Sequence, residues 1–109
     1  MNKLIEQIKQ WHYDRNLIEG STDKAQFSKL QEEVLELHGN IIAKEWDSWL
    51  CEDHERECKA DDIGDILVVL INIAERNGLT LEQCLEKAYD DIKDRRGIML
   101  NGVFVKEEE

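Results

Sequence analysis

The stretch DDIGDILVVLINIAERNG, residues 61–78, decides how the whole chain is read. Ile63, Ile66, Leu67, Val68, Val69, Leu70, Ile71, Ile73 and Ala74 make a helix over about residues 60–76 that is apolar on almost every side. Such a helix lies at the centre of a fold or at a subunit interface. Asn77-Gly78 closes it with a residue suited to the left-handed region. Yet its first turns carry Asp62 and Asp65, three apart and so on one side. Carboxylates on a buried helix need a partner. This helix has no lysine or arginine before Arg76, and a divalent cation is the remaining way to compensate them.

A matching pair lies upstream in KLQEEVLELHG, residues 29–39. Glu33 and Glu36 are again three apart, with Cβ atoms about 5–6 Å from one another, close enough to share one ion. Glu32 stands four before Glu36 and joins them or supports them from behind. Like charges at this spacing weaken an isolated helix, so something must offset them. All the donors are carboxylate oxygens, a set that favours a hard cation such as Mg²⁺ or Mn²⁺. A di-iron bundle calls for Glu-x-x-His, and His38 does not supply it. Gly64, between the aspartates, leaves room for a close approach. Asn72, seven residues past Asp65, is placed to present its amide above the ion.

The rest of the chain reads as further helix. Leu4, Ile5, Ile8, Trp11 and His12 recur at helical spacing over about residues 2–16, ending before EGSTD, where Gly20 breaks the helix and Ser21, Thr22 or Asp23 caps the next. The second helix covers about residues 24–44, its seam formed by Phe27, Leu30, Val34, Leu37 and Ile41. Residues 45–59 read as a loop or short helix. Thr80 to Gln83 is a capping box opening a fourth helix to about residue 95. GIMLNGVFV then reads as a hairpin about Asn101-Gly102, marginal alone and expected to pack on the bundle or on a neighbouring subunit. The expectation is an all-α four-helix bundle over residues 1–97, followed by a short C-terminal β-hairpin and acidic tail over 98–109.

The totals narrow the function. The 109 residues fit one domain. Twenty-five acidic residues against 14 basic ones give a net charge of −11. That balance argues against binding a nucleic acid polymer, whose phosphates it would repel. No apolar run is long enough to span a bilayer and no signal-peptide core is evident, so the expected setting is cytoplasmic, away from the membrane. Three cysteines form no disulfide framework.

Taken together, Glu32-Glu33-Val34-Leu35-Glu36 resembles the EExxE motif, and Asp62-Ile63-Gly64-Asp65 the following ExxD motif, of the MazG-like nucleotide pyrophosphohydrolases. These belong to an all-α superfamily with the dimeric dUTPases and phosphoribosyl-ATP pyrophosphohydrolases. The similarity covers about residues 4–96. Three departures stand out: Asp62 replaces the usual glutamate, one methylene longer; the family's basic residues after the fourth helix are only loosely matched by Lys93, Arg95 and Arg96; and the proline common there is missing. The resemblance implies Mg²⁺-dependent hydrolysis of a nucleoside triphosphate between the α and β phosphates. It implies that Glu33, Glu36, Asp62 and Asp65 hold the metal, Mn²⁺ being the alternative ion. Glu32 or a ligand such as Glu33 would act on the attacking water, and Lys93 and Arg96 would clamp the phosphates. A homodimer or homotetramer is expected, because one chain has too little other surface to cover the apolar third helix.

Other residues weigh less. Trp11, Trp46 and Trp49 are candidates to stack on a base, although large aromatics more often fill cores and interfaces. Cys51, His54 and Cys58 are one ligand short of a zinc site. His12 and His38 read as structural. The rival function is a non-catalytic acidic interaction protein, which would spread its acids over exposed faces. A closer rival is the same fold acting on dUTP or a phosphoribosyl nucleotide.

Overall fold

A computed structural model describes residues 2–46 and 52–107. Four helices and a hairpin follow in order: α1 (Lys3–Asp14), α2 (Asp23–Trp46), α3 (Glu52–Arg76), α4 (Leu81–Ile92), β1 (Gly97–Leu100) and β2 (Val103–Lys106). The expected all-α architecture with a terminal hairpin is what the chain adopts. Among the described residues no helix is long and apolar enough to cross a membrane.

Local chemistry sets the helix ends. Asn2 caps α1, its side chain accepting from the Ile5 amide at 3.0 Å. The helix stops at Asp14, earlier than expected, because Asn16 takes a left-handed conformation (φ 56°). Leu17 N–H then returns to the His12 carbonyl at 2.9 Å and Asn16 N–H to that of Tyr13 at 3.1 Å, a Schellman closure made by asparagine rather than by Gly20. Thr22 is the residue of the EGSTD segment that caps α2, accepting from the Ala25 amide at 3.0 Å. At the end of α3, Gly78 sits at φ 70°, and Leu79 and Gly78 donate to the Ala74 and Glu75 carbonyls. The capping box of Thr80 and Gln83 is formed in both directions.

Helix α3 starts eight residues earlier than its expected first residue, at Glu52. Residues 52–59 therefore extend the helix, where a loop or short helix was expected. Their charges obscure any apolar period, but Glu, Arg and Lys are good helix formers and the segment has no glycine or proline to interrupt them.

Helix α3 is the hub, packed along α2 and touched by α1 and α4. The pairs Asp23–Arg76, Glu33–Asp65 and Asn40–Asp62 step in opposite directions along α2 and α3, so the two helices are antiparallel. Among the described residues the buried apolar core is small: Ile18, Val69, Ile71 and Ala74. At its centre Asn72 is fully buried (0 % exposed), donating to the Leu17 carbonyl at 2.9 Å and facing His12 Nδ1 at 3.2 Å. His12 Nε2 lies 3.0 Å from the Val68 carbonyl. These contacts fix the imidazole as Nε2–H donor and Nδ1 acceptor. Arg76 adds a tie at the far end, donating to the Ile18 carbonyl and pairing with Asp23 at 3.1 Å.

Much apolar surface is left uncovered. Phe27, Val34 and Ile41 of the expected α2 seam are exposed, as are Ile63 and Leu67 on α3 and Leu85, Tyr89 and Ile92 on α4. Both hairpin strands are exposed along their length, and among the described residues neither packs on the helices. Their register pairs Ile98 with Val105 and Leu100 with Val103 on one face, which is wholly aliphatic.

Candidate metal centre

Helices α2 and α3 bring three of the four expected carboxylates together. Oxygens of Glu33, Glu36 and Asp65 lie within 4.8 Å of one another. Glu33 is the buried member at 7 % exposure, while Glu36 and Asp65 open to solvent. One Glu33 oxygen is held by Lys29 at 3.2 Å; the other is buried with no hydrogen-bond partner among the described residues. A buried carboxylate oxygen without a donor is costly. A cation is the kind of group that would satisfy it.

The electrostatics carry the same strain. The charge of Glu33 pushes the Glu36 carboxyl above its ordinary range, followed by desolvation, a hydrogen-bonding contact with Glu33, and the charges of Asp62 and Asp65. Asp65 is raised first by desolvation and then by Glu33, Asp61 and Asp62, with Lys29 opposing. Hydrogen bonds from Lys29 to Glu33 and Glu32 raise the lysine in turn. Lys29 thus offsets part of the repulsion, but one ammonium cannot neutralise three or four acids. The donor set fits a hard divalent ion bound through oxygen.

Asp62 takes a different place. It is buried, at 6 % exposure, and its Oδ2 accepts from Asn40 Nδ2 at 2.6 Å. It is not one of the three converging residues. The expected four-ligand set is therefore seen as three grouped carboxylates with Asp62 beside them. Glu32 is 67 % exposed at its side chain and paired with Lys29 at 3.3 Å, outside the group.

The expected substrate contacts lie elsewhere. Asn72 does not present its amide to the carboxylates: the amide nitrogen is committed to Leu17 and His12, and its oxygen is buried without a partner among the described residues. It ties α1 to α3. Lys93 pairs with Asp90 one turn back, at 3.2 Å. Arg96 lines a groove with Arg95, Ile98, Phe104 and Lys106 beside the hairpin. Helix α4, which precedes both cations, packs on α3 and does not contact α2. Gly64 faces open space: among the described residues, no atom outside its own stretch of helix lies within 4 Å of where a Cβ would stand.

Sequence reasoning overlooked two participants. Lys29 was visible in the quoted stretch itself, standing three and four residues before Glu32 and Glu33. Asn40, seven beyond Glu33 and four beyond Glu36, shares their side of α2, but nothing in a neutral side chain marks it as part of an acidic site. Trp11 is exposed at the surface with the Arg15 guanidinium 4.2 Å from its ring centroid. His12 is buried and structural, whereas His38 is exposed. Trp49, Cys51 and the side chains of Trp46 and His54 lie outside the described residues, and with them the base-stacking and zinc readings that used them.

With this geometry in place, comparison with known proteins gives one informative similarity. An uncharacterized 18.2 kDa protein from the rep-hol intergenic region of Haemophilus phage HP1 (strain HP1c1) is 37% identical over 87 residues. The match covers 80% of this chain and 46% of the phage protein, so the chain spans a little under half the length of that relative. No family profile matches the chain, and no solved structure matches it.

Proposed function

We propose that the chain is a Mg²⁺-dependent nucleoside triphosphate pyrophosphohydrolase of the MazG-like kind, releasing nucleoside monophosphate and pyrophosphate. One observation carries the reading. Two antiparallel helices converge three carboxylates, one of them buried with an oxygen that no donor among the described residues satisfies. An acidic interaction surface would have no reason to bury Glu33 and Asp62.

Glu33, Glu36 and Asp65 would hold the ion, with Mn²⁺ able to substitute. A bound divalent ion supplies charge neutralisation for the phosphate chain and lowers the pKa of a coordinated water. Water attacks the α phosphorus, the bond from that phosphorus to the bridging oxygen breaks, and pyrophosphate leaves with the electron pair. The proton passes to solvent, to which Glu36 and Asp65 open the site. Glu32, salt-bridged to Lys29, is left with the role of positioning that lysine against Glu33.

The phosphate clamp calls for cations other than Lys29, which is engaged with Glu32 and Glu33, and α4, which precedes Lys93 and Arg96, does not contact α2 within one protomer. Lys93 and Arg96 serve it in a homodimer or homotetramer, and the uncovered apolar surfaces of α2, α3, α4 and the hairpin favour such association. A panel of ribo- and deoxyribonucleoside triphosphates, with dUTP and a phosphoribosyl nucleotide included, tests the assignment. Monophosphate and pyrophosphate should appear in equal amounts with Mg²⁺. Release of inorganic phosphate alone, or no turnover on any substrate, would contradict it.

A further inference from the structure

Asp62 is the odd member of the acidic pairs. Its charge reaches both Glu36 and Asp65, yet its carboxylate does not join their sphere. Its partner is on the opposite helix, where Asn40 Nδ2 donates to Oδ2 at 2.6 Å. Hydrogen bonds to a carboxylate are the short, strong kind. Asparagine is also a poor residue for a helix interior, and position 40 lies well inside the 24-residue α2. The reason lies across the interface, in a buried acid that would otherwise have lost a strong donor.

We propose that Asn40 is a positioning residue for the cation site, an inference that rests on the metal-binding reading above. Its amide holds the Asp62 carboxylate against α2, so that Glu33, Glu36 and Asp65 take the ion while Asp62 stands in the layer behind them. The short side chain at position 62 is then one half of a matched pair. A longer acid there would extend further from α3; aspartate stops short, and the asparagine on α2 meets it.

The pair has a consequence for the three grouped carboxylates. With Asn40 removed, the buried Asp62 carboxylate loses the donor that holds it against α2. Its displacement disturbs the group it adjoins. Partners that orient a metal site from behind its ligands typically contribute 10- to 100-fold in affinity. Asn40 acts through Asp62 alone, so its effect vanishes when Asp62 no longer carries a charge to hold.

The test uses the full chain, stripped of metal and without nucleotide, titrated with Mn²⁺ and followed by the loss of the free-ion electron paramagnetic resonance signal. Circular dichroism confirms that each variant is folded. Asn40→Ala and Asn40→Leu, both better helix formers than asparagine, should each weaken Mn²⁺ binding by about tenfold or more. In an Asp62→Asn background, Asn40→Ala should cause no further loss. Unchanged affinity in the folded single variants overturns the proposal while leaving the cation site intact. An equal loss in both backgrounds overturns it as well, since Asn40 would then act independently of Asp62. A wild-type chain that binds no Mn²⁺ removes the cation site itself, and this inference with it.

Discussion

Glu33 on α2 and Asp65 on α3 point carboxylate oxygens to within 4.8 Å of each other, although 31 intervening residues separate them in the chain. Folding α2 against α3 concentrates negative charge that the unfolded chain keeps apart. The helices are held by other means: the small apolar core, the Asn72 node and the Arg76 ties. The expected behaviour follows from this opposition between packing and charge.

The first expectation concerns pH. Glu36 and Asp65 are raised in the folded chain, so folding takes up protons at these groups. Their contribution to stability is fully present below the unfolded carboxylate range, about pH 4. It is lost as pH rises through the raised folded values. Metal-free protein should therefore lose part of its stability from these groups as pH climbs out of the acid range, and Glu36→Gln should flatten that slope. A slope unchanged in the variant would show that Glu36 does not sense its neighbours.

Mg²⁺ should reverse the penalty, and more strongly at pH 7.5 than at pH 5.5, where protons compete for the same oxygens. At ten times its dissociation constant an ion adds about 1.4 kcal/mol. For a chain of this size that corresponds to a rise in Tm on the order of 5–10 °C. Glu33→Gln should remove the rise, leaving metal-free melting equal to or above that of the wild type. Scanning calorimetry with and without Mg²⁺ reads both.

Asn72→Ala should behave in the opposite way. It leaves the Leu17 carbonyl and His12 Nδ1 without their donor and opens a void in the centre of the fold. The expected loss of stability is about 2–4 kcal/mol by urea unfolding, with Mn²⁺ affinity little changed. Normal stability with a raised KM for nucleotide would instead return Asn72 to substrate binding.

How much of this was legible in the sequence depended on the range of the interaction. The acid pairs at i, i+3 were plain, because a single helix fixes them. So were the Gly78 closure, the Thr80 capping box and the Asn101-Gly102 turn, each governed by a few adjacent residues. Asn72 misled because a seven-residue step keeps a side chain on one side of a helix but carries it about 10 Å along the axis, up to where α1 packs. Asn40 was silent because its partner is 22 residues away on another helix. The start of α3 was hidden by charge on every side.

Association is the fourth expectation. Val34 stands between Phe27 and Ile41 on an exposed apolar row of α2. Light scattering should give a mass at least twice the 12.8 kDa of one chain. Val34→Glu should shift it toward the monomer and lower turnover in step, if a second copy supplies Lys93 and Arg96. A monomeric wild type that retains full turnover would rule out the shared clamp.

The central claim is that carboxylates from α2 and α3 hold a divalent ion. Isothermal titration of the metal-free chain with Mn²⁺ at pH 7.5 tests it most directly, comparing wild type with the Glu33→Gln, Glu36→Gln, Asp65→Asn triple variant. Saturable binding to the wild type and none to the variant is the predicted result. A flat wild-type titration, or equal binding to both, would contradict it.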